Sequence, residues 1–410
     1  SEIAKELIHE RSSVGSPAVS PDGSHVACVV ATADLDDNTV RTRVWLDGRP
    51  LTAGPNDAQP VWSPDGRYLA FTARRSEAKN GKPGGATLHV LPITGPGEVR
   101  TVCEMPDGIG DVAWSPDGAW FAFVSRTRDA RYDAKDESWQ PPRKIERFLS
   151  RLNGENWIFD RPQHVYVVAA DGTRKPRNLT PGEFQFGGVS WLPDSSGVVT
   201  SGQAHDTWDT DQCTDLYVVP LDGERRELTH QTGQYAAAAV SPDGEWVAFI
   251  GNDDSLTYPQ NAKVGVVPVG GGDHRWISEG LDRTFFPTAG TSGPVWESAT
   301  ALLASAEDRG DTHLFRLTVD GAAPEAITAG RLAVQGYDTA GGVLATVRAE
   351  VTHPGELWVG EQRVTNVTVS RLGWEKFAVP TTDGSDEIDV WVMLPPGTDP
   401  AGAAAASLPV

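Results

Sequence analysis

Trp114-Ser115-Pro116-Asp117-Gly118, followed by Trp120-Phe121-Ala122-Phe123-Val124, reads as a tight corner and the strand that leaves it. Proline presets the backbone for the second position of a turn, and Asp-Gly adds a side-chain acceptor and a residue free to take a positive φ. The aromatic and β-branched run behind it suits a strand covered on both faces. The phrase returns as Val19-Ser20-Pro21-Asp22-Gly23, Trp62-Ser63-Pro64-Asp65-Gly66 and Val240-Ser241-Pro242-Asp243-Gly244, with a worn copy at Trp191-Leu192-Pro193-Asp194-Ser195. A unit that repeats an apolar face it cannot bury alone must stack on its own copies.

Each corner is followed by a second hairpin. Examples are His164-Val165-Tyr166-Val167-Val168 into Asp171-Gly172, and Asp215-Leu216-Tyr217-Val218-Val219 into Asp222-Gly223. These close on strands such as Asn178-Leu179-Thr180 and Glu227-Leu228-Thr229, so one unit supplies four strands. Val295-Trp296 and Tyr337-Asp338 open two units that keep the spacing without the Pro-Asp-Gly words. The total is seven units between about residues 16 and 369, close to the ~40–50 residues of a propeller blade. The predicted fold is therefore all-β, a seven-bladed β-propeller of four-stranded blades. Two ordinary sandwiches would not repeat one corner at blade spacing.

The chain of 410 residues carries a formal charge of −21, which argues against nucleic acid and anionic membranes as partners. Cys28, Cys103 and Cys213 are an odd, scattered set that implies no disulfide framework. With neither a leader-like start nor a long apolar run, the expected compartment is the cytoplasm. Whether copies associate into a homo-oligomer is left open by the sequence.

Residues 1–15 read as a short amphipathic helix, 16–370 as the propeller, and 371–410 as the start of something else. Between the third and fourth corners, 126–161 departs from the repeat and is rich in Arg, Asp and aromatics. Such departures map to loops on one face. Within it Arg143, Lys144, Arg147 and Arg151 are spaced to share a helical face, with Glu146 and Glu155 nearby. After the last unit, Thr381-Thr382-Asp383-Gly384 and Ile388-Asp389-Val390-Trp391-Val392-Met393-Leu394-Pro395-Pro396-Gly397 form a hairpin outside the blade pattern.

The corners, the insertion ending Asn153-Gly154-Glu155-Asn156-Trp157 and the exit segment together resemble the prolyl oligopeptidase family of serine peptidases, nearest its acylaminoacyl-peptidase and aminopeptidase branch. The resemblance covers the whole chain. It implies that 371–410 is the first, truncated hairpin of an α/β-hydrolase domain. That missing domain would hold the nucleophile elbow, oxyanion hole and triad, and would form an acyl-enzyme with short peptides or aminoacyl amides. No Gly-x-Ser-x-Gly or His-Gly-Gly occurs here, so no catalytic residue, metal ligand or cofactor site is expected in this chain. Arg147, Arg151 and Glu155 are the expected substrate contacts, an Arg for a peptide carboxylate and the Glu for an amine. The other reading is a non-catalytic TolB-like propeller that binds a protein partner.

His205, Asp206, Asp209 and Asp211 could be written as a metal loop, but they lack the Gly turn and terminal Glu of a calcium site and fit no zinc spacing. They are expected to form a solvated loop around Trp208, and Asp34, Asp36, Asp37 and Asn38 a polar hairpin tip. Trp62, Trp114, Trp191, Trp246 and Trp296 are assigned to packing between blades.

Overall fold

The computed structural model describes residues 12–74, 85–95, 97–133, 137–153, 156–230, 232–286, 293–350, 353–367 and 374–393. Strands account for nearly all of its regular structure. Five antiparallel four-stranded sheets follow the chain, and an eight-stranded sheet resolves into two further sets of four that touch through one parallel pair, Thr312 with Ala333. We number these sets as units one to seven. Their first strands are Ser12–Val19, Asp57–Trp62, Gly110–Trp114, Phe186–Trp191, Gln234–Val240, Val295–Trp296 and Leu332–Ala340.

The corner phrase builds the same structure each time. Gly23, Gly66, Gly118 and Gly244 all take a left-handed φ of 69–75°. The serine hydroxyl donates to the aspartate two residues on, at 2.7, 2.6, 2.5 and 2.6 Å for Ser20, Ser63, Ser115 and Ser241. It also accepts the amide five residues on, as in Trp120 N to Ser115 Oγ at 2.9 Å. The aspartate carboxyls of these corners sit below their ordinary range; for Asp243 the Ser241 hydroxyl is the main cause. Ser115→Ala is expected to cost about 1–2 kcal/mol, because it leaves the Trp120 amide without its acceptor. Denaturant unfolding checks this, and a loss below ~0.3 kcal/mol would remove the hydroxyl from the corner's design.

Most outer strands are short and run into a Leu-Thr or Ile-Thr pair for a reason the pattern alone did not disclose. The threonine hydroxyl accepts an amide of the third strand, replacing a missing ladder partner. Thr180 does so from Val165 at 2.9 Å, Thr229 from Leu216 at 3.0 Å and Thr328 from Leu314 at 3.0 Å.

The second and third strands are apolar on both sides because each sheet has a neighbour on both faces. Phe121 and Phe123 of unit three bury themselves against Leu88 and Val90 of unit two. Ala122 and Val124, which alternate with them, turn instead to Trp191 and Val198 of unit four. Successive clusters join four with five, five with six, six with seven, and one with two. The remaining cluster sets Ala345, Val347 and Leu357 of unit seven against Val14, Val19 and Cys28 of unit one, so the succession closes on itself.

Tryptophans fasten these contacts further. The indole N–H of Trp62, Trp191 and Trp296 donates to the carbonyl of Ala18, Ala113 and Ala239 in the preceding unit, at 3.0, 3.2 and 2.9 Å. Trp114 donates to its own Gly118. Trp246 is not their equivalent: it opens a second strand, as Trp120 does, and lies under the Arg275 guanidinium.

First strands carry a bulge at which Ser16, Gln59, Asp111 and Ala237 adopt a positive φ. Two of these side chains bridge units: Gln59 reaches the Ile109 carbonyl and Asp111 accepts the Gly188 amide. The N-terminal boundary differs from expectation. Unit one begins at Ser12, four residues early, because Val14 is needed in the cluster with unit seven. The rest of the expected helix lies outside the described residues.

Candidate functional site

In an antiparallel meander alternate turns fall on opposite edges of the sheet. The Pro-Asp-Gly corners and the turns between third and fourth strands share one edge. The turns between second and third strands, and the links from unit to unit, share the other. The insertion after Arg126 joins the second and third strands of unit three, so it stands on this second edge with the 203–214 and 253–262 loops.

The hairpin of Trp374–Pro380 and Glu387–Met393 sits on the same edge, against the 308–311 turn of unit six. Lys376 Nζ donates to the Arg309 carbonyl at 2.7 Å and lies 3.6 Å from the carboxylates of Asp311 and Asp389. Trp391 covers Gly310, where an added Cβ would come within 2.2 Å of the indole. Register places Phe377, Val379, Ile388, Val390 and Val392 on the opposite side of this ribbon, and the first three are exposed.

Exposed large apolar residues are unevenly shared between the two edges. Among the described residues all but Val99 stand on the loop-bearing edge or on the exit hairpin. Tyr258 is 94% exposed and Phe148 86%, and Trp139, Leu256 and Phe286 are nearly as bare.

The insertion is held at its root by charge. Arg128 grips Asp107 with two bonds, Nε to Oδ2 at 2.5 Å and Nη2 to Oδ1 at 2.9 Å, and reaches Asp133 at 2.7 Å. The Asp107 bonds, with Asp133 adding, hold the Arg128 guanidinium more firmly protonated than usual. Arg143 donates to Asp160 at 3.1 Å and lies over the rings of Tyr132 and Trp157. Asp129 accepts from Arg131, which is the main cause of its lowered carboxyl, and closes a 3₁₀ turn, Ala130–Tyr132.

The expected helical face is absent. From Pro141-Pro142 to Ser150 the chain is irregular, and the basic side chains find separate partners instead of one another. Arg147 donates to the Asp206 carbonyl at 3.0 Å and pairs with Glu183 at 3.1 Å, while the Phe148 amide donates to Asp209 at 2.6 Å. Lys144 meets Glu146. Arg151 is exposed and stacks over Trp157 at 5.6 Å. Glu155 lies outside the described residues. Arg147 and Arg151 thus stand on one loop-bearing edge, Arg147 docked on unit four and Arg151 facing outward.

The acidic loop differs from its expectation in one respect: Trp208 is buried, in a single helical turn of Trp208–Asp211. Burial alone would raise the Asp211 carboxyl, but Thr207, His205 and the Cys213 amide, at 2.6, 3.0 and 2.9 Å, hold it below its ordinary range. Those oxygens are spent on protein donors. Among the described residues no group of three His, Cys, Asp or Glu is arranged to hold a metal ion.

No family model matches the chain. It is 26% identical over 248 residues to an uncharacterized peptidase of Bacillus subtilis, YuxL, covering 58% of this chain and 30% of the relative. It is 22% identical over 437 residues to dipeptidyl-peptidase 5 of Porphyromonas gingivalis, covering 97% of this chain and 61% of the relative. The chain resembles the propeller part of peptidases. Among solved structures, acylaminoacyl peptidase of Pyrococcus horikoshii superposes with a TM-score of 0.73 at 17% identity, over 94% of this chain and 58% of the other. The β-propeller domain of the trilobed protease of Pyrococcus furiosus, described as having an open velcro topology, gives 0.60 at 15% identity over 87% and 98%. The fold is thus that of a β-propeller, and the chain spans 30% and 61% of its two curated relatives. No helix among the described residues is long and apolar enough to cross a membrane.

Proposed function

We propose that the seven units are the blades of one propeller, and that the propeller is the substrate-selecting cap of a cytoplasmic serine peptidase. Its hydrolase domain opens with 371–410 and continues beyond Val410. The observation that carries this is the exit hairpin. A two-stranded ribbon with one side docked on unit six and the other side apolar and bare is not a stable end to a sheet. The concentration of exposed aromatics on the same edge supports a covering lobe there, as does the greater length of the peptidase relatives. Cys28 and Cys103 are buried and form no disulfide, which agrees with a reducing compartment.

In this reading the covering lobe forms the acyl-enzyme with a short peptide or aminoacyl amide, and this chain limits access and orients the substrate. Arg151, and Glu155 beside it in sequence, would meet the charged ends of the peptide. Arg147, committed to Asp206 and Glu183, would hold the insertion in place over them. A solved relative carries a peptide chloromethyl ketone, Z-Gly-Gly-Phe, which agrees with a peptide ligand.

The test compares the 410-residue chain with a polypeptide extended past Val410, on aminoacyl p-nitroanilides. The extended protein is expected to release nitroaniline and to lose that activity to a fluorophosphonate, while the 410 residues release none. Turnover by the shorter chain, or a longer one indifferent to the serine reagent, would overturn the proposal.

A further inference from the structure

Asp-Gly is the dipeptide in which a backbone amide most easily attacks the side chain before it, because glycine places no Cβ in the path. The chain has ten such pairs, all among the described residues. Seven share one arrangement: the four corner pairs, beginning at Asp22, Asp65, Asp117 and Asp243, and those at Asp171, Asp320 and Asp383. In each the glycine amide donates to the carbonyl two residues before the aspartate, as Gly172 N does to Ala169 O at 3.0 Å and Gly321 N to Thr318 O at 2.9 Å. The carboxylate in turn accepts the amide two residues on, as from Thr173 at 2.9 Å and Ala322 at 3.2 Å. Nucleophile and electrophile are thus each tied elsewhere. In two further pairs the carboxylate is held by other groups, Asp47 by the Val26 amide and His25, and Asp107 by Arg128.

The tenth pair, Asp222-Gly223, turns the third strand of unit four into the fourth, as Asp171-Gly172 and Asp320-Gly321 do in units three and six. Its geometry differs from theirs. Gly223 takes a φ of 123°, where the seven glycines lie between 68 and 78°. Among the described residues the Gly223 amide has no acceptor and the Asp222 carboxylate accepts no amide. The Asp222 side chain is 95% exposed, and its one contact among those residues is the Arg177 guanidinium at 3.5 Å. We propose that Asp222-Gly223 is a site of spontaneous isoaspartate formation, the pair at which this chain ages.

The reaction needs only water. Gly223 N attacks Asp222 Cγ, the N–Cγ bond forms, and a carboxyl oxygen leaves as water, taking the amide proton and one from solvent. A second water opens the resulting five-membered succinimide. Where it adds at the Asp222 backbone carbonyl, the bond from that carbon to Gly223 N breaks, the chain runs on through the side chain, and a free α-carboxylate is left. The mass is unchanged. That α-carboxylate is the group that isoaspartyl methyltransferases esterify with S-adenosylmethionine. The turn lies on the edge that bears the corners, away from the insertion and the exit hairpin, so the inference stands apart from any catalytic reading.

The 410-residue chain is incubated at neutral pH and body temperature and mapped with endoproteinase Asp-N, which cuts before aspartate and not before isoaspartate. Labelling by an isoaspartyl methyltransferase is the second readout. Protected pairs react only through local opening, so isoaspartate at residue 222 is expected to exceed that at each of the other nine pairs by about ten-fold or more. In guanidinium the ten rates should converge, since all share the dipeptide. Asp222→Ser is expected to remove the signal from that peptide in a chain that folds unchanged. Deamidation at Asn80-Gly81 and Asn153-Gly154 also yields isoaspartate but changes the mass, which separates those peptides. Isoaspartate spread evenly over the folded chain, concentrated at another Asp-Gly pair, or equally concentrated at residue 222 in guanidinium would overturn the proposal.

Discussion

Phe123→Ala is expected to cost the propeller about 3–5 kcal/mol. The ring is fully buried in the second strand of unit three and stacks on Tyr166 at a centroid distance of 5.8 Å. It fills the interface with unit two beside Leu88 and Val90. Its neighbours Ala122 and Val124 are engaged with unit four, so the strand cannot shift to close the void without spoiling the other interface. Guanidinium unfolding followed by tryptophan fluorescence measures the loss. A cost near 1 kcal/mol would mean that neighbouring blades slide together over the vacancy. That would contradict the rigid two-sided burial described here.

Arg128→Ala is expected to cost about 3–5 kcal/mol by a different route. The Asp107 side chain, 6% exposed, loses a bidentate partner and keeps only Arg161, whose guanidinium is 3.8 Å away. A carboxylate left buried without its partner is costlier than the pair was beneficial, so Arg128→Ala alone should cost more than Arg128→Ala combined with Asp107→Ala. The loss falls on the root of the insertion. Limited proteolysis between residues 127 and 162 should accelerate at least ten-fold, while cleavage elsewhere stays unchanged. An insertion as resistant as that of the unmodified protein would show that Arg143 and the hydrogen bond from the Asp129 amide to the Asp160 carbonyl, at 2.8 Å, suffice to hold it.

What the sequence disclosed and what it hid divide along the range of the interactions. The corners are local: Ser115, Asp117, Gly118 and Trp120 settle their own geometry within six residues, so the phrase could be read directly. Units six and seven lack the phrase yet keep the spacing of apolar runs, and they fold as the pattern predicts. In the insertion, charges three and four apart suggest a helix, whereas Arg147 finds Glu183 and Asp206, 36 and 59 residues further on. Positive φ at Ser16, Gln59, Asp111 and Ala237 carried no glycine to announce it. Trp246 shares the phrase with the other tryptophans but opens the strand after the corner, a distinction the phrase alone does not carry. The exit hairpin and the insertion were each legible alone, but only the alternation of turns placed them on one edge.

Among the described residues every unit is cut from one unbroken stretch of chain, with no strand lent to a neighbour. A tandem duplication or deletion of about fifty codons would therefore add or remove one complete leaf and leave every other hydrogen-bond ladder intact. The genetic unit and the mechanical unit coincide. Such a ring can change its circumference in a single recombination event, without a strand-swapped clasp having to be re-formed.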